Sequence, residues 1–174
     1  RKIIDVVLQK KNYLNYIMVK GNLKSNRQYI PIFTEKYCGK YPIYIKSSWE
    51  EKFCRWLDYN KDVIEWSSES IRISYVDPTK GRNGYLDDIS GKNRVYYPDF
   101  VVKFKNGKKY VIEIKPEKYT RRPSKKGKKS KKTILERERI YLVNQAKFNA
   151  ARVWCKKMDM KFVILTEKDL FRSQ

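Results

Sequence analysis

Two short stretches carry side chains whose types and spacing could do chemistry: Pro98-Asp99, and further along Glu113-Ile114-Lys115. Both carboxylates lie in runs of Val, Ile, Tyr and Phe that read as strand. Asp and Glu are depleted from strand interiors, and a carboxylate buried there must be paired or bind a metal. Side chains alternate along a strand, so Val111, Glu113 and Lys115 share one face while Ile112 and Ile114 take the other. A possible metal ligand and a cation therefore emerge side by side. Two carboxylates bridging adjacent strands make an all-oxygen site suited to Mg²⁺ or Mn²⁺ and poorly suited to softer metals. Phosphodiester hydrolysis is the chemistry such a site does well: the metal polarises a phosphoryl oxygen and acidifies a bound water, and Lys115 orients that water or stabilises charge at phosphorus. The chain has no histidine, which removes histidine zinc sites, Ser-His-Asp and Cys-His nucleophiles, and histidine as general base.

Each residue also has a plainer reading. Asp99 fits a strand-edge aspartate after proline, and Glu113 with Lys115 fits an ion-pair ladder on a wet face. Asp87 and Asp88 lie in a Gly-rich stretch where turn chemistry is the default, and they are left out of the candidate site. What favours the site is the order of the elements around the two motifs. Residues 94–104 and 109–115 flank Asn106-Gly107, the strongest short-range hairpin signal, and predict two adjacent antiparallel strands. Before them, Trp49, Phe53, Trp56 and Leu57 recur at helical spacing, predicting a helix over 49–58 capped by Ser48 with Glu51 three residues on. On that wheel Glu51, Arg55 and Asp58 point to solvent. Ile71, Ile73 and Tyr75 alternate as in a half-buried strand. Residues 134–158 read as a long helix with Val143, Ala146, Ala150, Val153 and Trp154 on one face, followed by a strand over 161–165 and a short helix capped by Thr166 and Asp169. The fold class expected is α/β: a central mixed sheet of about four strands with the early and late helices packed on it.

Charge points to the partner. Lys and Arg number 41 against 19 acids in 174 residues, a net charge of +22 that concentrates polyanions around so small a body. Nucleic acid is the natural partner, against an RNA-binding ribosomal-type protein, a membrane-surface binder or drift in a Lys-rich proteome. Residues 117–133 hold nine Lys or Arg and one acid, and predict a disordered basic loop in which Lys125, Lys126, Lys128 and Lys129 add nonspecific affinity for phosphates. Gln145 and Lys147 on the long helix are further candidates to face a scissile phosphate. The four tryptophans could stack on bases, but Trp49, Trp56, Trp66 and Trp154 fall at core spacing. Residues 1–46 are expected to be a basic N-terminal arm with at most a short helix over 3–8, and residues 47–174 a single domain. No apolar run approaches the length needed to span a bilayer, so no membrane partner is expected. Cys38, Cys54 and Cys155 form no close pair, which argues against a disulfide framework or a CxxC zinc site and for a reducing compartment. The first residue is Arg1 and not Met, so a trimmed or processed start is expected.

Pro98-Asp99 with Glu113-Ile114-Lys115 resembles the PD-(D/E)xK motif of the restriction-endonuclease-like superfamily. With Ser47-Ser48-Trp49-Glu50, Trp56-Leu57-Asp58, Ile64-Glu65-Trp66, Val143-Asn144, Lys147 and Ile164-Leu165-Thr166-Glu167, residues 45–170 resemble the T4-type phage head-completion nucleases and, more distantly, TnsA-like transposon endonucleases. The resemblance implies a Mg²⁺- or Mn²⁺-dependent deoxyribonuclease on a restriction-endonuclease-like core, with Asp99, Glu113 and Lys115 at its centre. It implies a further metal-binding glutamate on the helix before the sheet, where Glu50 matches and Glu51 is the rival. Double-stranded DNA is then the substrate, the packaged phage genome or its end the target, and portal or neck proteins the partners. The place of action would be the host cytoplasm during assembly, with retention in the virion. Two other outcomes stay open: a neck or DNA-end-binding protein without turnover, and a TnsA-like or restriction endonuclease with specific cleavage.

Overall fold

A computed structural model describes residues 27–81, 91–123 and 130–170. The expected helix at 3–8, Asp87 and Asp88, and the lysines Lys125, Lys126, Lys128 and Lys129 lie outside the described residues. Among the described residues eight strands and three α-helices follow in order: β1 (Arg27–Tyr29), β2 (Ile43–Ile45), α1 (Ser48–Tyr59), β3 (Val63–Ser68), β4 (Ile73–Asp77), β5 (Lys92–Tyr96), β6 (Phe100–Phe104), β7 (Lys109–Ile114), α2 (Lys131–Lys157), β8 (Lys161–Leu165) and α3 (Glu167–Leu170). The central sheet is mixed, in the order β3-β6-β7-β8, with β7 and β8 parallel and the other pairs antiparallel. No helix among the described residues is long and apolar enough to cross a membrane.

The β6–β7 hairpin turns at Asn106-Gly107 as expected. Gly107 adopts φ +76°, a left-handed conformation that costs glycine little, and its N–H donates to the Phe104 carbonyl at 2.9 Å. Alternation then sorts the two strands. Phe100, Val102, Phe104, Tyr110, Ile112 and Ile114 meet Phe53, Cys54, Trp56 and Leu57 of α1 in one core. Val111 and Glu113 are left for the opposite face, on which α2 lies. A second, smaller core of Ile73, Tyr75, Tyr96 and Ala151 joins the β4–β5 hairpin to α2.

Several expectations are corrected. Residues 94–104 are not one strand: the chain breaks at Tyr97-Pro98-Asp99, β5 pairs only with β4, and β6 enters the central sheet. Pro98 lacks an N–H for a ladder and restricts the residue before it, so the break falls where proline makes pairing least favourable. The cap of α1 is Ser47, not Ser48: Ser47 Oγ accepts the Glu50 N–H and donates to Glu50 Oε1, at 3.2 and 2.8 Å. The late helix starts at Lys131, capped by Ser130, ahead of the expected 134, and a 3-10 turn at Glu117–Tyr119 occupies the start of the expected loop. On that helix the buried stripe is Asn144, Phe148, Ala151 and Cys155, at i, i+4, i+7 and i+11; Val143, Ala146, Ala150 and Trp154 of the expected face are partly buried at its margin against the second core, and Val153 is exposed.

A further correction is Asp58, expected in solvent and found fully buried. Residues 27–46 explain it. They send Tyr29, Tyr37, Ile43 and Ile45 into the main core and cover the outer side of α1. Asp58 Oδ2 accepts the Tyr29 hydroxyl at 2.7 Å and the Ile32 N–H at 2.8 Å, Oδ1 accepts the Trp66 indole N–H at 3.2 Å, and Lys36 Nζ lies 2.6 Å from the Asp58 carbonyl. Glu51 and Arg55, on the same wheel face, form an i,i+4 ion pair at 3.0 Å.

Candidate active site

Asp99 sits on the last residue before β6, where the break after β5 delivers it to the sheet. One step beyond the Phe100–Ile112 pair, the antiparallel register sets Asp99 opposite Glu113 on a shared face. Asp99 Oδ2 accepts the Ile114 N–H at 2.7 Å, and its carbonyl accepts the Glu69 N–H at 3.0 Å. Glu69 itself adopts φ 45° and pairs its carboxylate with Lys46, tying the end of β3 to the chain leading into α1.

Glu113 is 4% exposed and receives two donors: the Tyr96 hydroxyl on Oε2 at 2.6 Å and Lys115 Nζ on Oε1 at 3.1 Å. Burial, then the nearby Glu113 carboxylate, pushes the Asp99 carboxyl well above its ordinary range, with Glu50 adding to the effect and the Ile114 amide and Lys115 opposing it. Burial, then Glu113, likewise raises the Tyr96 hydroxyl, which keeps it a donor. Glu50 and Lys115 open onto a cleft of about 430 Å³ that Trp49, Ile114, Tyr119 and Asn144 also line. Half-buried Asp99 and buried Glu113 are not among the residues that line this cleft.

The candidates nominated by sequence are thus placed unequally. Asp99, Glu113 and Lys115 come together. Glu50 is near enough to act on Asp99, but its carboxylate turns back on its own helix start, with Oε2 accepting the Lys46 N–H at 2.9 Å. Gln145 donates to the Thr120 carbonyl at 3.2 Å and holds the turn after β7. Lys147 Nζ lies 5.7 and 5.6 Å from the ring centroids of Tyr75 and Tyr96, and burial, then Lys115, lowers its pKa. Tyr96 was missed by sequence reasoning: in a run ending Tyr96-Tyr97-Pro98, nothing local distinguishes a tyrosine that reaches a carboxylate from one that fills a core.

Among the described residues no group of three or more His, Cys, Asp or Glu side chains is arranged to hold a metal ion. The donor set still fits a hard divalent cation. Mg²⁺ keeps several waters and commonly takes only one or two protein carboxylates, the remainder coming from substrate phosphates. Two facing carboxylates, Glu113 buried and Asp99 half-buried, share a single ion-paired lysine, and burial with the neighbouring Glu113 raises the Asp99 carboxyl.

A pH test follows from that charge. In metal-free protein Asp99 holds its proton to a higher pH than in the unfolded chain. The native state therefore carries no penalty below the ordinary Asp range, about pH 4, and loses stability as pH rises through the raised value. Asp99→Asn removes this dependence and keeps an oxygen for the Ile114 amide. In EDTA, Asp99→Asn is expected to melt increasingly above the wild type as pH rises, with the gap closing near about pH 4. A gap that does not change with pH would show that the carboxyl is not disfavoured.

A central mixed sheet crossed by helices, with two carboxylates and a lysine gathered where β6 and β7 meet, is the arrangement of a restriction-endonuclease-like core. The sequence profile described as TnsA-like endonuclease N terminal matches residues 60–167, and the chain belongs to that family. It is also 34% identical over 147 residues to the head completion nuclease of Enterobacteria phage T4, covering 82% of this chain and 91% of that protein.

Proposed function

We propose that this protein is a metal-dependent deoxyribonuclease that hydrolyses phosphodiester bonds in double-stranded DNA, acting on a packaged phage genome or its end during head completion. The observation that carries the reading is the facing pair Asp99 and Glu113 with Lys115 bonded to Glu113 at 3.1 Å. Asp99 and Glu113 would hold Mg²⁺ or Mn²⁺, with Glu50 completing the set once its carboxylate leaves the helix cap. When bound, the metal supplies Lewis-acid polarisation of the phosphate and a more acidic water.

The protein's own groups do the rest. Lys115 is part-exposed at the cleft, so its ammonium can move from Glu113 to a phosphate oxygen and stabilise charge as the bond breaks. The ammonium of Lys147, held over two rings behind this site, adds positive potential where the phosphate must come. The net charge of +22, including Lys125, Lys126, Lys128 and Lys129, holds the DNA backbone without reading sequence. These events belong to the host cytoplasm during assembly, with portal or neck proteins as neighbours and retention in the virion as a later stage.

Supercoiled and linear DNA incubated with Mg²⁺, Mn²⁺ or EDTA test the reading. Cleavage in either metal and none in EDTA is expected. Retardation of DNA without cleavage in any condition would mark a neck or end-binding protein, and a few discrete products would mark a site-specific endonuclease of the TnsA or restriction kind.

A further inference from the structure

We infer that Tyr96 is a positioning residue for the reaction, fixing through its hydroxyl which oxygen of Glu113 is left for the metal. The inference rests on the reading of Asp99 and Glu113 as the metal-binding pair. A carboxylate has two oxygens and about four acceptor sites, so its donors decide its orientation. Of the two donors here, Lys115 is flexible, part-exposed and on the same strand. It can leave for a phosphate. Tyr96 is 4% exposed, comes from a different sheet, and is held by the second core and by the Lys147 ammonium 5.6 Å from its ring. Its hydroxyl therefore holds Oε2 whether or not Lys115 stays. As a neutral donor it orients the carboxylate without adding positive charge that would oppose a divalent cation. Outer groups of this kind commonly tune metal affinity ten- to a hundred-fold.

The plainer reading is that a buried tyrosine needs some partner and Glu113 is the nearest. The β4–β5 hairpin, however, does not need this bond. It has its own ladder from Ile73↔Tyr96 to Asp77↔Lys92, its own core with α2, and an Arg94–Asp77 ion pair at 3.0 Å. A phenylalanine at 96 would fill the same space, so the hydroxyl is the part that serves Glu113.

The test compares the full-length wild type with Tyr96→Phe and with Tyr75→Phe, which keeps the other ring beside Lys147 and removes a hydroxyl that does not bond Glu113. Mn²⁺ affinity is read by calorimetry, melting in EDTA by circular dichroism, and the single-turnover cleavage rate at saturating Mn²⁺ on linear DNA. Tyr96→Phe is expected to weaken Mn²⁺ binding about ten-fold or more and to slow single-turnover cleavage. Its melting should stay within about 4 °C of wild type and its affinity for DNA should be unchanged. Tyr75→Phe should match wild type throughout. Wild-type Mn²⁺ affinity and rate in Tyr96→Phe would overturn the inference while leaving the metal site standing, as would equal losses in Tyr75→Phe. A wild type that neither binds Mn²⁺ nor cleaves DNA would overturn the metal-site reading and this inference with it.

Discussion

Asp99→Ala and Glu113→Ala are each expected to lower metal-dependent cleavage by about 10³-fold or more, since several kcal/mol of transition-state stabilisation depend on the metal they hold. Binding to DNA in EDTA should stay within a few-fold of wild type, because affinity resides in a positive field of +22 to which two carboxylates contribute unfavourably. The alanine change at 113 also leaves the Tyr96 hydroxyl and Lys115 without their carboxylate partner, so Glu113→Gln serves as the milder version. Lys115→Met separates the roles further: it should lose turnover while keeping Mn²⁺ affinity, since the lysine acts on the phosphate and not on the metal. Undiminished cleavage by either carboxylate variant would remove that residue from the centre.

The largest loss of stability is expected far from this site, at Asp58. Its side chain is fully buried and satisfies the Tyr29 hydroxyl, the Ile32 N–H and the Trp66 indole at once. Removing it strands two interior donors, the Tyr29 hydroxyl and the Trp66 indole, each costing about 1–3 kcal/mol when left unpaired, while Ile32 is exposed enough for its N–H to turn to water, so Asp58→Ala should cost about 2–6 kcal/mol. Against a total of about 5–15 kcal/mol, that is enough to lower the melting temperature by many degrees. Asp58→Asn should rescue little, because one of its two ends becomes a donor facing donors. Tyr29→Phe should cost only about 1 kcal/mol, as Asp58 keeps its other partners. Denaturant unfolding checks the ranking, and an Asp58→Ala as stable as wild type would mean that the network is not formed in solution.

These two residues also show what could be read locally. The Asn106-Gly107 turn, the alternation through β7, the strand over 161–165, and the pairing of Thr166 with Asp169 are encoded within a few residues, and each stands where its local signal put it. Asp99 alone fits a strand-edge aspartate after proline, and it stood out as a candidate only through the order of helix, strands and hairpin around the two motifs. The cap of α1 was misread by one position because Ser47 and Ser48 both precede an acid three residues on, and only the packed orientation of the helix chooses between them.

What the sequence by itself determined is therefore the set of candidate residues and their local frame: no histidine, two carboxylates and a lysine at strand spacing, and charge suited to a polyanion. Tertiary structure alone decided that the strands on either side of Pro98 join different sheets, that Asp58 is buried, that Lys147 rests over tyrosine rings and that Tyr96 grips Glu113. The physical reason is common to all four. Periodicity in a sequence reports burial against one surface, but α1 and α2 each meet two, and hydrogen bonds between elements far apart in the chain form only after both surfaces have closed.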